Sequence, residues 1–157
     1  MYGRVLIPLD GSELAETILP FAEQIAGPLD AEVVLLGVVE PLSAVTGLAT
    51  GGVNAADALF LRQLETKKYL AEVARRLETK GLRVRTLLGL GMPAAEIVES
   101  AKAAQADLIA MTTHGRSGLR RAVLGSVAEQ VLRAASVPVL MIRMPALSPA
   151  PMEAANR

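Results

Sequence analysis

Five short apolar runs recur along the chain, separated by stretches in which apolar residues fall three or four apart. Arg4 to Leu9 (RVLIPL) is the first run. It has no polar alternation, which suits a strand buried on both faces of a parallel sheet. Pro8 falls at its end, where a missing N–H matters least. Asp10-Gly11-Ser12 makes the turn, and Leu14, Ile18, Phe21 and Ile25 then repeat at helical spacing. Gly27-Pro28 predicts the end of that helix, and Pro20 inside it predicts a kink. Glu32 to Val39 (EVVLLGVV) is the second buried strand. Residues 41–54 have no periodicity and carry three glycines, the pattern of a mobile surface loop. A loop of that length in a compact domain is commonly a lid or a binding loop.

The helical period returns from about Ala55 to Lys80, with Leu70, Val73, Ala74 and Leu77 on its apolar face and Gly81 as its C-terminal cap. Arg83 to Leu88 is the third strand. Gly89 to Pro93 turns into a helix that runs to about Gln105, with Ala94, Ile97, Val98 and Ala101 facing inward. Leu108 to Met111 is the fourth strand. Val127, Ala128, Val131, Leu132 and Ala135 mark another helix, and Pro138 to Arg143 is the fifth strand. The alternation of strand and helix predicts an α/β sandwich built on a parallel sheet. One domain is expected over 1–144, and the proline-rich tail 145–157 is expected to fray. Ligands of such sheets bind beyond the C-terminal ends of the strands, where the strand order reverses.

The fourth strand runs into Thr112-Thr113-His114-Gly115-Arg116-Ser117-Gly118 and on to Gly125-Ser126, where the helix begins. A strand–loop–helix junction leaves amides unpaired at the helix N-terminus, where the macrodipole favours negative charge. Phosphate is the common ligand of that arrangement. Gly115, Gly118 and Gly125 remove side chains that would keep a phosphate off the backbone.

Composition narrows the choice. The 157 residues are 52% apolar and 20% charged, with zero formal net charge, which is globular and not disordered. There is no Trp, and aromatics are 3%, so base-stacking recognition of single-stranded nucleic acid is not supported. Cys is absent, which excludes disulfides, thiolate chemistry and Cys-ligated zinc. No apolar run approaches the roughly 18 residues of a membrane span. Arg4 follows the start directly with a strand, so no leader is read, and a soluble cytoplasmic protein is expected. The charge is unevenly placed. Residues 1–60 hold eight acids and one base, Arg4, whereas residues 115–143 hold five arginines and one acid, Glu129. The basic section coincides with the phosphate-type loop, although single surface arginines are commonly just solvated.

Several residues have duller readings. Ser126-Val127-Ala128-Glu129 has the form of a capping box, in which the Ser126 hydroxyl serves its own helix. Asp10 reads as a cap of the first helix, with Glu13 completing a box, or as a ligand contact. His114 is the sole histidine, and no Ser or Asp is placed to make a triad with it, which favours a binding or loop-shaping role. Gly89-Leu90-Gly91-Met92-Pro93-Ala94 matches the dinucleotide fingerprint in form, but no acid ends the next strand, so a tight turn explains it. No G-x-x-x-x-G-K-[ST] and no G-x-S-x-G occurs. No side-chain metal site is read, and Mg²⁺ is expected only with bound phosphates.

Taken together, Ile7-Pro8-Leu9-Asp10-Gly11-Ser12 near the start and Thr112, His114-Gly115, nine residues, Gly125-Ser126 near the end resemble the universal stress proteins, of the ATP-binding branch. Val127-Ala128-Glu129 and Pro138-Val139-Leu140 continue the resemblance, which spans about residues 2–144. Thr112 is a departure, since the family pattern begins with glycine there. The resemblance implies a three-layer α/β sandwich, Rossmann-like and adenine nucleotide alpha-hydrolase-like, with strand order 3-2-1-4-5. It implies ATP, or ADP or AMP, as ligand. Asp10, with Pro8 and Leu9, would lie near adenine and ribose, and Val38 would offer its backbone to the adenine edge. Met111 and Thr112 would line the ribose side, and His114 and Gly115 would begin the phosphate loop. Gly125, Ser126, Val127 and Ala128 would hold phosphates. The family's dimers imply a homodimer through strand 138–143. The function expected is a nucleotide-regulated dimeric stress-response protein, with at most slow ATP hydrolysis. The alternative is a dimeric scaffold that binds no nucleotide and acts through protein partners.

Overall fold

The computed structural model describes residues 3–41, 54–113 and 125–143. The strands are β1 (Arg4–Pro8), β2 (Glu32–Val39), β3 (Val84–Leu90), β4 (Leu108–Thr113) and β5 (Val139–Arg143). The helices are α1 (Glu13–Glu16), α2 (Leu19–Leu29), α3 (Ala55–Glu78), α4 (Pro93–Ala103) and α5 (Ser126–Ala134). All pairings are parallel, and the sheet order is β3-β2-β1-β4-β5. The chain builds outward from β1 on one side, then crosses to β4 and β5 on the other.

The pleat divides the core. Val5, Ile7, Val33 and Leu35 pack with Ala22 and Ala26 of α2 and with Leu70, Val73 and Leu77 of α3. The alternate residues Leu6, Val34, Leu36, Ile109 and Met111 pack with Ile97 and Ala101 of α4 and with Ala128 and Val131 of α5. Alternation in a strand sends successive side chains to opposite faces, so both faces of β1, β2 and β4 are covered. The predicted apolar faces of α3 and α4 are the buried ones, residue for residue. Gly81 closes α3 in a left-handed conformation, with Leu82 N donating to Leu77 O at 3.3 Å.

Two expectations are corrected. The first helix is two helices, parted at Thr17 and Ile18, and Pro20 lies in the first turn of α2, where its missing N–H had no partner to lose. Gly27 and Pro28 lie within α2 rather than ending it. The terminator is Asp30, left-handed at φ 48°, with Ala31 N bonded to Ala26 O at 3.0 Å. Pro28 forfeits one backbone bond in a last turn that was ending anyway. Leu132, one of the apolar positions that mark α5, is 51% exposed. The strands β3 and β4 also run two residues further than their apolar cores suggest, because ladder bonds extend through polar and glycine positions. The expected loop at 41–54 falls largely outside the described residues, as does the tail.

Candidate functional site

The pairing of β1 with β4 is confined to Val5↔Leu108 and Leu6↔Ile109. The ladder goes no further, and a cavity of about 520 Å³ opens over the C-terminal ends of the two strands. Pro8, Leu9 and Asp10 line it from the end of β1, Val38 from β2, and Met111 and Thr112 from β4. Gly125, Ser126, Val127 and Ala128 line it from the start of α5. His114 and Gly115 lie outside the described residues. Residues that sequence reading missed complete the walls: Ser12, Leu14 and Ala15 around α1, Leu36 and Glu40 of β2 and its end, and Pro93 and Ile97 of α4. Some carried a signal. Leu36, Val38 and Glu40 share one face by the period of two, and Pro93 and Ile97 share one helical stripe. The α1 residues carried none, because only the tertiary fold turns that helix over the opening.

Asp10 does not cap α1. Its Oδ1 accepts from Ser12 N at 2.9 Å and from Ser12 Oγ at 2.6 Å, and Ser12 Oγ in turn accepts from Ala15 N at 3.1 Å. Ser12 is therefore the N-cap, and Asp10 braces it. Gly11, at φ +81°, makes the reversal between them. The exposed Asp10 carboxylate keeps its second oxygen outside this turn.

The capping box that the sequence offers as an alternative at Ser126 is not formed. The cap position of α5 is Gly125, whose carbonyl accepts from Glu129 N at 2.9 Å, and Ser126 is the first helical residue. Glu129 pairs with Arg133 at 2.7 Å instead of reaching back. The exposed Ser126 hydroxyl is thus not spent on a cap, and the first-turn amides of Ser126, Val127 and Ala128 have no intrahelical acceptor. They stand at the positive end of the helix and at the wall of the cavity.

Behind α1, Tyr69 of α3 packs against the core, and its hydroxyl is buried with no hydrogen-bond partner among the described residues. Burial first, and then the neighbouring Glu16 carboxylate, push its pKa well above the ordinary tyrosine value. Gly89 and Gly91 turn under the Glu96 side chain. An added Cβ at either would lie 2.8 Å from a Glu96 carboxylate oxygen. The glycines at this turn make room for that side chain, which accounts for the fingerprint-like spacing. No described helix is long and apolar enough to cross a membrane.

A doubly wound parallel sheet, with an opening at the strand-order reversal that faces a helix N-terminus, defines a class of α/β ligand-binding domains. Within that class, the family model of the universal stress proteins matches residues 1–143, and the chain belongs to that family. It is 39% identical to universal stress protein MJ0531 of Methanocaldococcus jannaschii, over 92% of this chain and 84% of that one. It is 30% identical to universal stress protein YxiE of Bacillus subtilis, over 91% of this chain and all of that one. Among solved structures, that of MJ0577 from the same archaeon superposes with a TM-score of 0.78 at 29% identity, covering 93% and 99% of the two chains. A universal stress protein solved in complex with cAMP shares the fold, with a TM-score of 0.65 at 23% identity over 90% and 97%.

Proposed function

We propose that this universal stress protein binds ATP, or another adenine nucleotide, in the cavity beyond β1 and β4. One observation carries the reading: the unpaired first-turn amides of α5 face the Asp10 turn across one opening of about 520 Å³. That volume lies within the roughly 300–1,000 Å³ range of small-molecule sites. The two ends differ in chemistry. Asp10 and Glu40, the charged side chains among the described lining residues, lie at the ends of β1 and β2. Carboxylates there accept from sugar hydroxyls and base amines but repel phosphates. The α5 end offers main-chain N–H groups, the Ser126 hydroxyl and the helix dipole, which attract phosphates. The base and sugar therefore lie against Pro8, Leu9, Asp10, Val38, Met111 and Thr112, and the phosphates against Gly125 to Ala128. His114 and Gly115 begin the phosphate loop in this reading, and Mg²⁺ enters only with the phosphates. The universal stress protein solved with cAMP lends the reading support from within the family.

The same reading makes the protein a homodimer joined through β5. That strand is the sheet edge, and Val139, Leu140, Met141 and Ile142 are only partly covered. Nucleotide occupancy then regulates a dimer in the stress response, and no catalytic role is assigned to any residue.

Titration with a fluorescent ATP analogue tests the site. Ser126→Glu keeps the helix, because an acid in the first turn suits the dipole, yet it places a charge against the phosphates. Binding weaker by about tenfold or more, an opposing charge effect of roughly 1.4 kcal/mol, is expected. Wild-type protein that binds no analogue at millimolar concentration, or binding unaffected by Ser126→Glu, overturns the proposal and leaves the partner-binding scaffold.

A further inference from the structure

Helix α1 is a single turn, and none of its residues is buried. Its backbone bonds are long: Glu16 N to Ser12 O is 3.3 Å and Ile18 N to Ala15 O is 3.4 Å. One turn of helix has little stability of its own. Side chains from other elements hold it in place. Arg76 of α3 pairs with Glu16 at 2.6 Å, but both groups reach solvent, and such pairs contribute little. The other tie comes from the sheet. Leu108 and Ala110 of β4 face the α1–α3 side of the core, and Thr112, two residues on, faces the same way. Its Oγ1 donates to the Leu14 carbonyl at 3.2 Å in a partly buried setting. Thr17 Oγ1 donates to that carbonyl as well, at 2.6 Å, so Leu14 O gathers the end of the helix and the end of β4 at one atom.

We propose that Thr112 is a positioning residue that sets the width of the cavity by tying α1 to β4. This inference rests on the nucleotide reading for its effect on affinity. Ser12, Leu14 and Ala15 form one wall, and the Ser12 cap is bonded to Asp10 Oδ1, so movement of α1 carries the Asp10 carboxylate with it. The glycine that begins the family pattern has no hydroxyl and makes no such tie. The chain therefore gains a fixed wall where, among the described residues, a glycine leaves α1 with the exposed ion pair, the Asp10–Ser12 bonds at its start and apolar contact. A paradoxical consequence is that restoring the family's glycine weakens binding.

The test compares wild type with Thr112→Ser, Thr112→Val and Thr112→Gly in two measurements. Amide hydrogen exchange of the ligand-free protein reads the tie directly. Exchange of the Glu16, Thr17 and Ile18 amides is expected to quicken about fivefold in the Val and Gly variants, the effect of about one hydrogen bond, and to stay at the wild-type rate in the Ser variant. Titration with the fluorescent ATP analogue is expected to follow the same order, with weaker binding in Val and Gly and full rescue in Ser. Unchanged exchange in Thr112→Val shows that no tie exists and overturns the proposal. Tighter or equal binding by Thr112→Gly shows that Thr112 only obstructs the cavity and overturns it too. A wild type that fails to bind the analogue overturns the nucleotide reading, and with it the effect on affinity, while exchange still decides the tie itself.

Discussion

Gly37 of β2 lies against Thr66 and Leu70 of α3. A Cβ there would stand 2.4 Å from Thr66 Cγ2 and 3.1 Å from Leu70 Cδ1. Thr66 is branched and its hydroxyl already donates to the Arg62 carbonyl at 2.8 Å, so it has little freedom to turn away. Gly37→Ala is expected to destabilise the protein by about 1–3 kcal/mol, seen as a lower urea midpoint at unchanged slope. Two titrating groups contribute to the pH dependence of stability with opposite signs. Gly3 N and Arg4 N both donate to Asp107 Oδ2, at 2.7 and 2.9 Å, and these bonds hold its pKa below the ordinary carboxylate value. Its contribution is therefore present above about pH 4 and is lost as pH falls through the depressed folded value. Denaturant titrations should find Asp107→Asn less stable than wild type at pH 7, with the gap closing toward pH 2. Tyr69 has the opposite sign. Its folded pKa is raised, so its contribution is present below about pH 10 and is lost as pH climbs beyond that. Tyr69→Phe should flatten the loss of stability between about pH 10 and 11.5 in the same measurement.

The elements show what a periodic pattern discloses. Leu70, Val73, Ala74 and Leu77, and likewise Ala94, Ile97, Val98 and Ala101, are spaced by the helix itself, so burial follows from spacing alone. The break between α1 and α2 falls just before Pro20, where the sequence predicts a kink, but Leu14, Ile18, Phe21 and Ile25 keep helical spacing across it, so two separate helices were not legible. At the break Thr17 Oγ1 bonds Leu14 O, and Pro20 has no N–H to offer the Glu16 carbonyl. The capping alternatives for Asp10 and Ser126 are not realised, for a related reason. Asp10, Ser12, Gly125 and Ser126 are all competent to start a helix, and only the path of the chain selects Ser12 and Gly125. Within the site, residues at strand ends were legible from topology, whereas the walls made by α1 and α4 depend on packing between distant segments. A cap that is formed gives a clean check. Asn54 Oδ1 accepts from Asp57 N at 2.8 Å at the start of α3. Asn54→Ala is expected to cost about 1 kcal/mol, measured by chemical denaturation.

For the whole molecule, β5 is the test of assembly. A lysine on an edge strand is a common device against pairing, since it places a like charge opposite its own copy across a two-fold axis. On the proposed dimer, Met141→Lys is expected to give a monomer in analytical ultracentrifugation while the far-ultraviolet spectrum keeps its α/β form. A wild type that sediments as a monomer would sink the dimer.

The short pairing of β1 with β4 has a mechanical meaning. β3, β2 and β1 are zipped along most of their length, and β4 and β5 likewise, but the ladder between the two halves consists of Val5↔Leu108 and Leu6↔Ile109, with side-chain packing and the Thr112–Leu14 bond across it. The sheet thus has a seam, and thermal agitation or pulling should part it there before either half unravels. A molecule lodged over that seam, with one end on Asp10 and the other on the start of α5, would work as a stitch. Its stabilising effect would then appear mainly as slower opening between the two halves, rather than as added rigidity within either one.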